Sequence, residues 1–225
     1  MSGASVGPDR YQAWRASTLG QITERLEQSL LLELAGSVQG KDILDLGCGD
    51  GHLLASLREL GAKASGIDTD SAMVSCARVL NPDADIRLAD AAHLPYADES
   101  FDLIVANTLL CLILSPHSVL AEARRVLRPG GGLLIGELNR LSIWALSRRI
   151  RGWLGSPLWA KARFSTASSL SAELALAGFQ VEQVKGAVFY PPWAWAARLL
   201  APCAVWLGSR TTFGAAYIAI TARKR

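Results

Sequence analysis

The sequence predicts an α/β protein built on a doubly wound, mostly parallel sheet of seven strands, with helical segments added as lids. Two observations carry this. Short apolar runs alternate with helix-period segments from residue 11 to residue 138, the rhythm of parallel strands joined by crossover helices. One of those runs, Asp42–Leu46, leads straight into three alternating glycines, Gly47, Gly49 and Gly51, and a helix-like sequence follows at once. Right-handed crossovers leave only doubly wound topologies, with a ligand across the carboxyl ends of the strands.

The elements follow in order. Residues up to about Asp9 are rich in Gly, Ser and Pro and are expected to fray. Tyr11–Ala35 reads as one helix, with Leu19, Ile22, Leu26, Leu30 and Leu34 on a single stripe. After the glycine turn come a helix ending at Gly61, a strand Lys63–Asp68 and a helix Ala72–Leu80 broken by Asn81-Pro82. Ile86–Ala89 and Phe101–Ala106 are the next strands. Ser118–Leu127 is a helix and Leu133–Leu138 the fifth strand, entered through Arg128-Pro129-Gly130-Gly131-Gly132. Ser165 and Thr166 cap a helix to Ala177, and Phe179–Val188 and Ala215–Ala222 alternate as the last two strands.

Length and composition narrow the class. The chain has 225 residues and half of them are hydrophobic, enough for a single domain over 1–225. A net charge of +3 speaks against a nucleic-acid partner. Cys48, Cys76, Cys111 and Cys203 form no CxxC pair, so neither a zinc site nor a disulfide framework is expected, and no metal. The start MSGASVGPDR lacks a signal-peptide layout, which makes the cytoplasm the expected location.

Glycines reach backbone angles closed to other residues, and a helix start offers free N–H groups to polar ligand groups. Three alternating glycines exceed what a tight turn needs. A nicotinamide or flavin dinucleotide fold uses a similar loop, but its G-x-G-x-x-G spacing places a glycine where this chain has His52.

With these pieces placed, the chain resembles the class I S-adenosylmethionine-dependent methyltransferases, in the branch of the quinone and menaquinone C-methyltransferases. Four segments carry the resemblance: LDLGCGDG, GIDTD, ADAAHLPYADESFDLIVA and RVLRPGGGLLIGE. It covers Tyr11 to Leu138 well and the remainder in outline. It implies a Rossmann-like methyltransferase fold, S-adenosylmethionine as cofactor and S-adenosylhomocysteine as product. It also implies roles for residues. Asp45 holds the turn and the amino group of the methionine part, against which Gly47, Cys48, Gly49 and Gly51 lie. Asp68, 21 residues after Gly47, accepts from the ribose hydroxyls beside Thr69. Asp90 and Ala91 read the adenine edge, and Asn107 lines the methionine end.

The acceptor side is less defined. Tyr11, Trp14 and Arg15 on the first helix, Asn139 and Arg140 after the fifth strand, and Arg163 are substrate-side candidates. Residues 11–36, 139–164 and 189–210 are expected to form lids. Methyl transfer needs a general base only for acceptors that lose a proton early. His52, His93 and His117 all read as caps or solvated loop residues, so no catalytic base is assigned. A small hydrophobic or aromatic acceptor is expected. A protein or RNA acceptor, and a non-catalytic cofactor-binding protein, stay open as alternatives. The basic, Trp-bearing stretch Arg140–Trp153 and the Trp/Leu-rich stretch Pro191–Leu207 leave three roles open: a packed lid, a homodimer patch, or peripheral membrane contact.

Overall fold

The computed structural model describes residues 7–113 and 115–225. Its seven strands are β1 (Asp42–Leu46), β2 (Lys63–Asp68), β3 (Ile86–Leu88), β4 (Phe101–Asn107), β5 (Leu127–Leu138), β6 (Phe179–Ala187) and β7 (Tyr217–Lys224). They form one sheet in the order β3-β2-β1-β4-β5-β7-β6. All pair parallel except β7, which runs antiparallel to both neighbours. The predicted doubly wound sheet is present. Its strand order switches direction between β1 and β4, so the loops after these two parallel strands part and leave a crevice at their carboxyl ends.

The helices are α1 (Pro8–Ala16), α2 (Thr18–Ala35), α3 (His52–Glu59), α4 (Ser71–Leu80), α5 (Pro116–Val126), α6 (Ile143–Trp153), α7 (Pro157–Lys161), α8 (Ala167–Leu176) and α9 (Ala194–Gly208). Strand residues alternate between two buried layers. Ile43, Val105, Leu134 and Ala219 face Leu31 of α2 and Leu54 and Leu57 of α3. Leu44, Ile104, Ile135 and Ile220 face Val119 and Leu120 of α5 and Leu170 and Leu174 of α8. Both faces of the sheet are therefore covered, which is why its strands read as near-continuous apolar runs.

Several boundaries differ from the sequence reading. The first helix is two. Ser17 leaves helical geometry (φ −69°, ψ 149°) and caps α2 by accepting from the Gly20 N–H at 3.0 Å. A side chain at Gly20 would overlap the Trp14 carbonyl, so glycine permits the bend. The fifth strand starts at Leu127 because the Pro-Gly run stays beside β4, with an irregular register between Phe101 and Leu103. Pro202 lies inside α9. The fraying expected before Asp9 falls mostly on residues 1–6, outside the described residues, and the chain is helical from Pro8.

Candidate functional site

The three loop glycines all have left-handed φ: +70° at Gly47, +54° at Gly49 and +85° at Gly51. Their surroundings differ. A Cβ on Gly49 would meet nothing within 4 Å, so this residue borders open space. One on Gly47 would lie 2.9 Å from Leu109 Cδ1, and one on Gly51 2.7 Å from Asn81 Nδ2 and 3.0 Å from Ala77. Gly51 is thus required by the packing of α3 on α4, and the Asn81 amide donates to its carbonyl at 3.0 Å.

The loop N–H groups were expected to be free for a ligand, but three are used within the protein. Cys48 donates to the Ile67 carbonyl at 2.9 Å and Gly51 to the Cys48 carbonyl at 3.0 Å. Gly49 donates to Asp68 Oδ2 at 2.9 Å. Asp68 Oδ1 accepts from the Asp70 N–H, also at 2.9 Å, so this carboxylate ties the tip of β2 to the loop. Each of its oxygens keeps a second lone pair for a hydroxyl donor. Thr69, next to it, is exposed. The Cys48 side chain points inward: a Cβ on Gly66 would lie 2.9 Å from its Sγ, and burial pushes the thiol pKa up. Only the backbone of Cys48 is available to a ligand.

Asp45 is the unusual member. It is 2% exposed, and its Oδ2 has no hydrogen-bond partner. Burial, reinforced by the Asp68 charge, pushes its carboxyl up to about 7. A buried acceptor left unmatched is unfavourable by about 1–3 kcal/mol, more if charged, and a cationic donor placed here would satisfy it.

Further along the same edge, Asp90 is exposed just beyond β3 and accepts from the Ala92 N–H at 2.9 Å, while Ala91 is buried. Asn107 ends β4 and accepts from the Tyr217 hydroxyl at 2.8 Å. The following residue, Thr108, holds a left-handed φ of +51°, an uncommon conformation for a non-glycine residue. Asp90, Asp68, Asp45 with its loop, and Asn107 therefore line up across neighbouring strands. Three strand spacings cover roughly 14 Å, about the span of a nucleoside bearing an amino-acid tail.

The first helix sits over this edge. Arg15 donates to both Asp50 oxygens, at 2.8 and 3.2 Å, and pairs with Glu24 at 2.8 Å. His52 Nδ1 joins the cluster 2.6 Å from Arg15 Nη1 and 3.1 Å from Asp50 Oδ1. The Arg15 guanidinium lies 4.8 Å from the centre of the Tyr11 ring, which stacks on Trp14. Arg15 is accordingly a brace between α1 and the loop rather than a free substrate contact. Burial, with Glu24 adding to it, pushes the Tyr11 phenol up to about 12.

Sequence reasoning missed a half-buried carboxyl near Tyr11. Glu27 of α2 is pushed up to about 7 by burial, against the opposing charge of Arg148 from α6. Its field reaches Tyr190 and Tyr217, whose phenols are raised by burial first. Glu137, at the end of β5, is also pushed up to about 7 by burial, although it accepts from the Cys111 N–H at 3.2 and 3.1 Å. The only signal for Glu27 was a carboxylate on the helix bearing an otherwise apolar stripe.

Two other candidates stand elsewhere. Asn139 is an internal brace: its amide donates to the Thr212 and Ala215 carbonyls at 2.7 and 2.8 Å. Arg140 lines a separate hollow of about 610 Å³ with Arg149, Arg163, Trp159 and Phe164, so it is not grouped with Tyr11 and Trp14. A hollow of about 570 Å³ beside Lys41, Asp102 and Arg128 lies at the amino ends of the strands, away from the loop. Among the described residues no cluster of three or more His, Cys, Asp and Glu is placed to hold a metal.

Residues 44–135 match the family model described as a methyltransferase domain. A Mycolicibacterium smegmatis protein named "Probable S-adenosylmethionine-dependent methyltransferase" is 31% identical over 72% of this chain and 61% of its own. A demethylmenaquinone methyltransferase of Renibacterium salmoninarum is 32% identical over 54% of this chain and 51% of its own. The chain spans between 34% and 64% of the length of these and further curated relatives. A solved SAM-dependent methyltransferase from Thermotoga maritima superposes with a TM-score of 0.74 at 21% identity, covering 96% of this chain and 95% of that one, a likeness that carries the fold.

Proposed function

We propose that this chain is a class I S-adenosylmethionine-dependent methyltransferase, a reading its domain match, relatives and fold support, and that it moves a methyl group to a small, apolar or aromatic acceptor. The observation that carries the donor side is the unpartnered, buried Asp45 oxygen just before a loop whose Gly49 borders open space. The residues present fit the cofactor. Asp45 would hold the amino group of its methionine part, with the backbone at Gly47, Cys48 and Gly49 alongside. Asp68 would accept from the ribose hydroxyls next to Thr69. Asp90 and Ala91 would meet the adenine edge, and Asn107 the methionine end. When bound, S-adenosylmethionine supplies an activated sulfonium methyl.

The protein's own part is then alignment and exclusion of water, which in favourable model systems amounts to ~7–11 kcal/mol of the barrier. α1 serves as the lid, held on the loop by Arg15, with Tyr11 and Trp14 facing the acceptor. Glu27 is a candidate proton acceptor for an acceptor that ionises during transfer, since its raised carboxyl can take up and release a proton near neutral pH. Two relatives are named for quinone methylation, the demethylmenaquinone enzyme and a ubiquinone-biosynthesis O-methyltransferase, and a hydroxylated ring compound is in keeping with both.

The test is incubation with isotope-labelled donor and, separately, a panel of apolar phenols and quinols, bulk RNA, and protein extract. A small product heavier by one methyl group supports the reading. Label recovered only in RNA or protein overturns it.

A further inference from the structure

We propose that α6, α7, α9 and the Thr211–Gly214 turn form one face that docks on an anionic phospholipid bilayer. The charge of the chain is segregated. Residues 1–137 hold 11 Lys/Arg against 18 Asp/Glu, whereas residues 138–225 hold 12 against 2. Those two acids, Glu173 and Glu182, lie on α8 and β6, so residues 138–172 and 183–225 contain none. The near-neutral net charge conceals this asymmetry.

The acid-free segments also carry exposed apolar side chains. Trp153 and Leu154 at the end of α6 are 82% and 81% exposed, Trp206 on α9 is 59% exposed and Phe213 is 75% exposed. Ile143, Leu146, Leu199 and Val205 are exposed as well. Two hydrogen bonds tie the segments together: the Trp144 indole donates to the Tyr190 carbonyl at 2.7 Å, and the Gly214 N–H to the Leu141 carbonyl at 3.0 Å. α6 is thereby held against both ends of the stretch that contains α9.

Guanidinium groups flank the apolar side chains. Arg210 lies 4.4 Å from the centre of the Trp206 ring and Arg149 lies 5.6 Å from that of Phe164. Arg140, Arg149 and Arg163 converge on the 610 Å³ hollow beside Trp153 and Trp159. Aromatic and aliphatic side chains bordered by arginines, of which Arg163 reaches an acid (Glu173, 3.9 Å), are complementary to an anionic interface: the rings enter the acyl boundary and the guanidiniums meet lipid phosphates.

Other occupants fit less well. Self-association through this face would set several arginines of two copies against one another with only Glu173, already beside Arg163, to pair them. A nucleic acid would match the arginines but leave Leu, Ile and Val in contact with water. Among the described residues no helix is long and apolar enough to cross a membrane, so the face rests on the bilayer rather than spanning it. β5 and β6 run in the same direction as β1, so α6 and α9 leave the sheet at the edge that carries the glycine loop. Docking turns that edge toward the lipid. None of this rests on the proposed reaction, and lipid binding is measured without donor or acceptor.

The experiment is flotation of the purified chain with phosphatidylcholine vesicles and with vesicles containing one third phosphatidylglycerol. The expected result is flotation with the anionic vesicles alone, lost at about 0.5 M NaCl. The exposed triple variant Trp153→Ser/Trp206→Ser/Phe213→Ser should keep the wild-type melting temperature and stay unbound. Arg151→Glu/Arg163→Glu/Arg210→Glu should lower partitioning at least ~100-fold. Failure of the wild type to float with anionic vesicles overturns the proposal. So does a dimer in light scattering that the serine variant dissolves, or displacement from vesicles by a single-stranded RNA oligonucleotide whose binding the serine variant retains.

Discussion

Arg15 and Asp50 stand 35 positions apart and are joined by two hydrogen bonds, 2.8 and 3.2 Å long, that fasten the first helix to the glycine loop. Asp50 is buried, so removing Arg15 leaves its carboxylate only the neighbouring His52 ring as a side-chain partner. Arg15→Ala should destabilise the chain by roughly 2–4 kcal/mol. It should also speed amide exchange over residues 11–17 and raise the KM for the donor about tenfold. Hydrogen exchange by mass spectrometry and steady-state kinetics check both effects, and Arg15→Lys should restore only part of each because it cannot bridge two oxygens.

Asp45 makes folding stability and donor binding depend on pH. Its folded carboxyl, at about 7, lies above its ordinary value of 3.8, so the folded chain holds that proton more tightly than the unfolded one. The associated stability is fully present below about pH 4 and is lost as pH rises toward 7. Asp45→Asn should therefore stabilise the ligand-free chain at pH 8 by on the order of 1–3 kcal/mol, seen as a higher melting temperature, while abolishing donor binding. A bound ammonium keeps Asp45 ionised, so donor binding near pH 6 should release a proton. Titration calorimetry in two buffers of different ionisation enthalpy measures it.

Gly49 and Gly51 look alike in sequence but should fail differently. Gly51→Ala drives a Cβ into Asn81 and Ala77 at a φ of +85°, and should cost about 3 kcal/mol or more of stability in thermal melts. Gly49→Ala faces open space, so it should cost about 1–2 kcal/mol for its positive φ and act mainly by weakening the donor.

The glycine loop, Asp68 and the seven strands were legible because each is written locally: apolar runs, turn residues, an acid at a strand tip. What escaped depends on tertiary contact. Glu27 and Arg148 are 121 positions apart, and neither differs in sequence from an ordinary surface charge. Asp50 is a loop acid whose burial comes from contact with α1, 35 positions away. Asn139 looked like a site residue because it follows β5, yet its amide is spent on two backbone carbonyls. The break at Ser17 had a local signal, a capping serine three residues before a glycine, masked by the leucine stripe running on through α2.

Tyr217 and Asn107 couple β7 to the end of β4. Tyr217→Phe leaves the Asn107 oxygen without its 2.8 Å donor and should cost about 1–2 kcal/mol. Gly136 lies beneath the same hydroxyl, where a Cβ would overlap it, so Gly136→Ala should cost more. The double variant should be less unstable than the two single losses added together, because removing the hydroxyl relieves part of the clash. Chemical denaturation of the four proteins in this cycle provides the coupling energy.

Titration calorimetry of S-adenosylhomocysteine into the purified chain and its Asp68→Ala variant is the most direct test of the donor cradle. One-to-one binding to the wild type, weakened at least ~30-fold in the variant, which loses a charged hydrogen-bond acceptor worth about 2 kcal/mol, is the predicted result. Absence of any binding heat with the folded wild type, or equal affinity for both proteins, would contradict it.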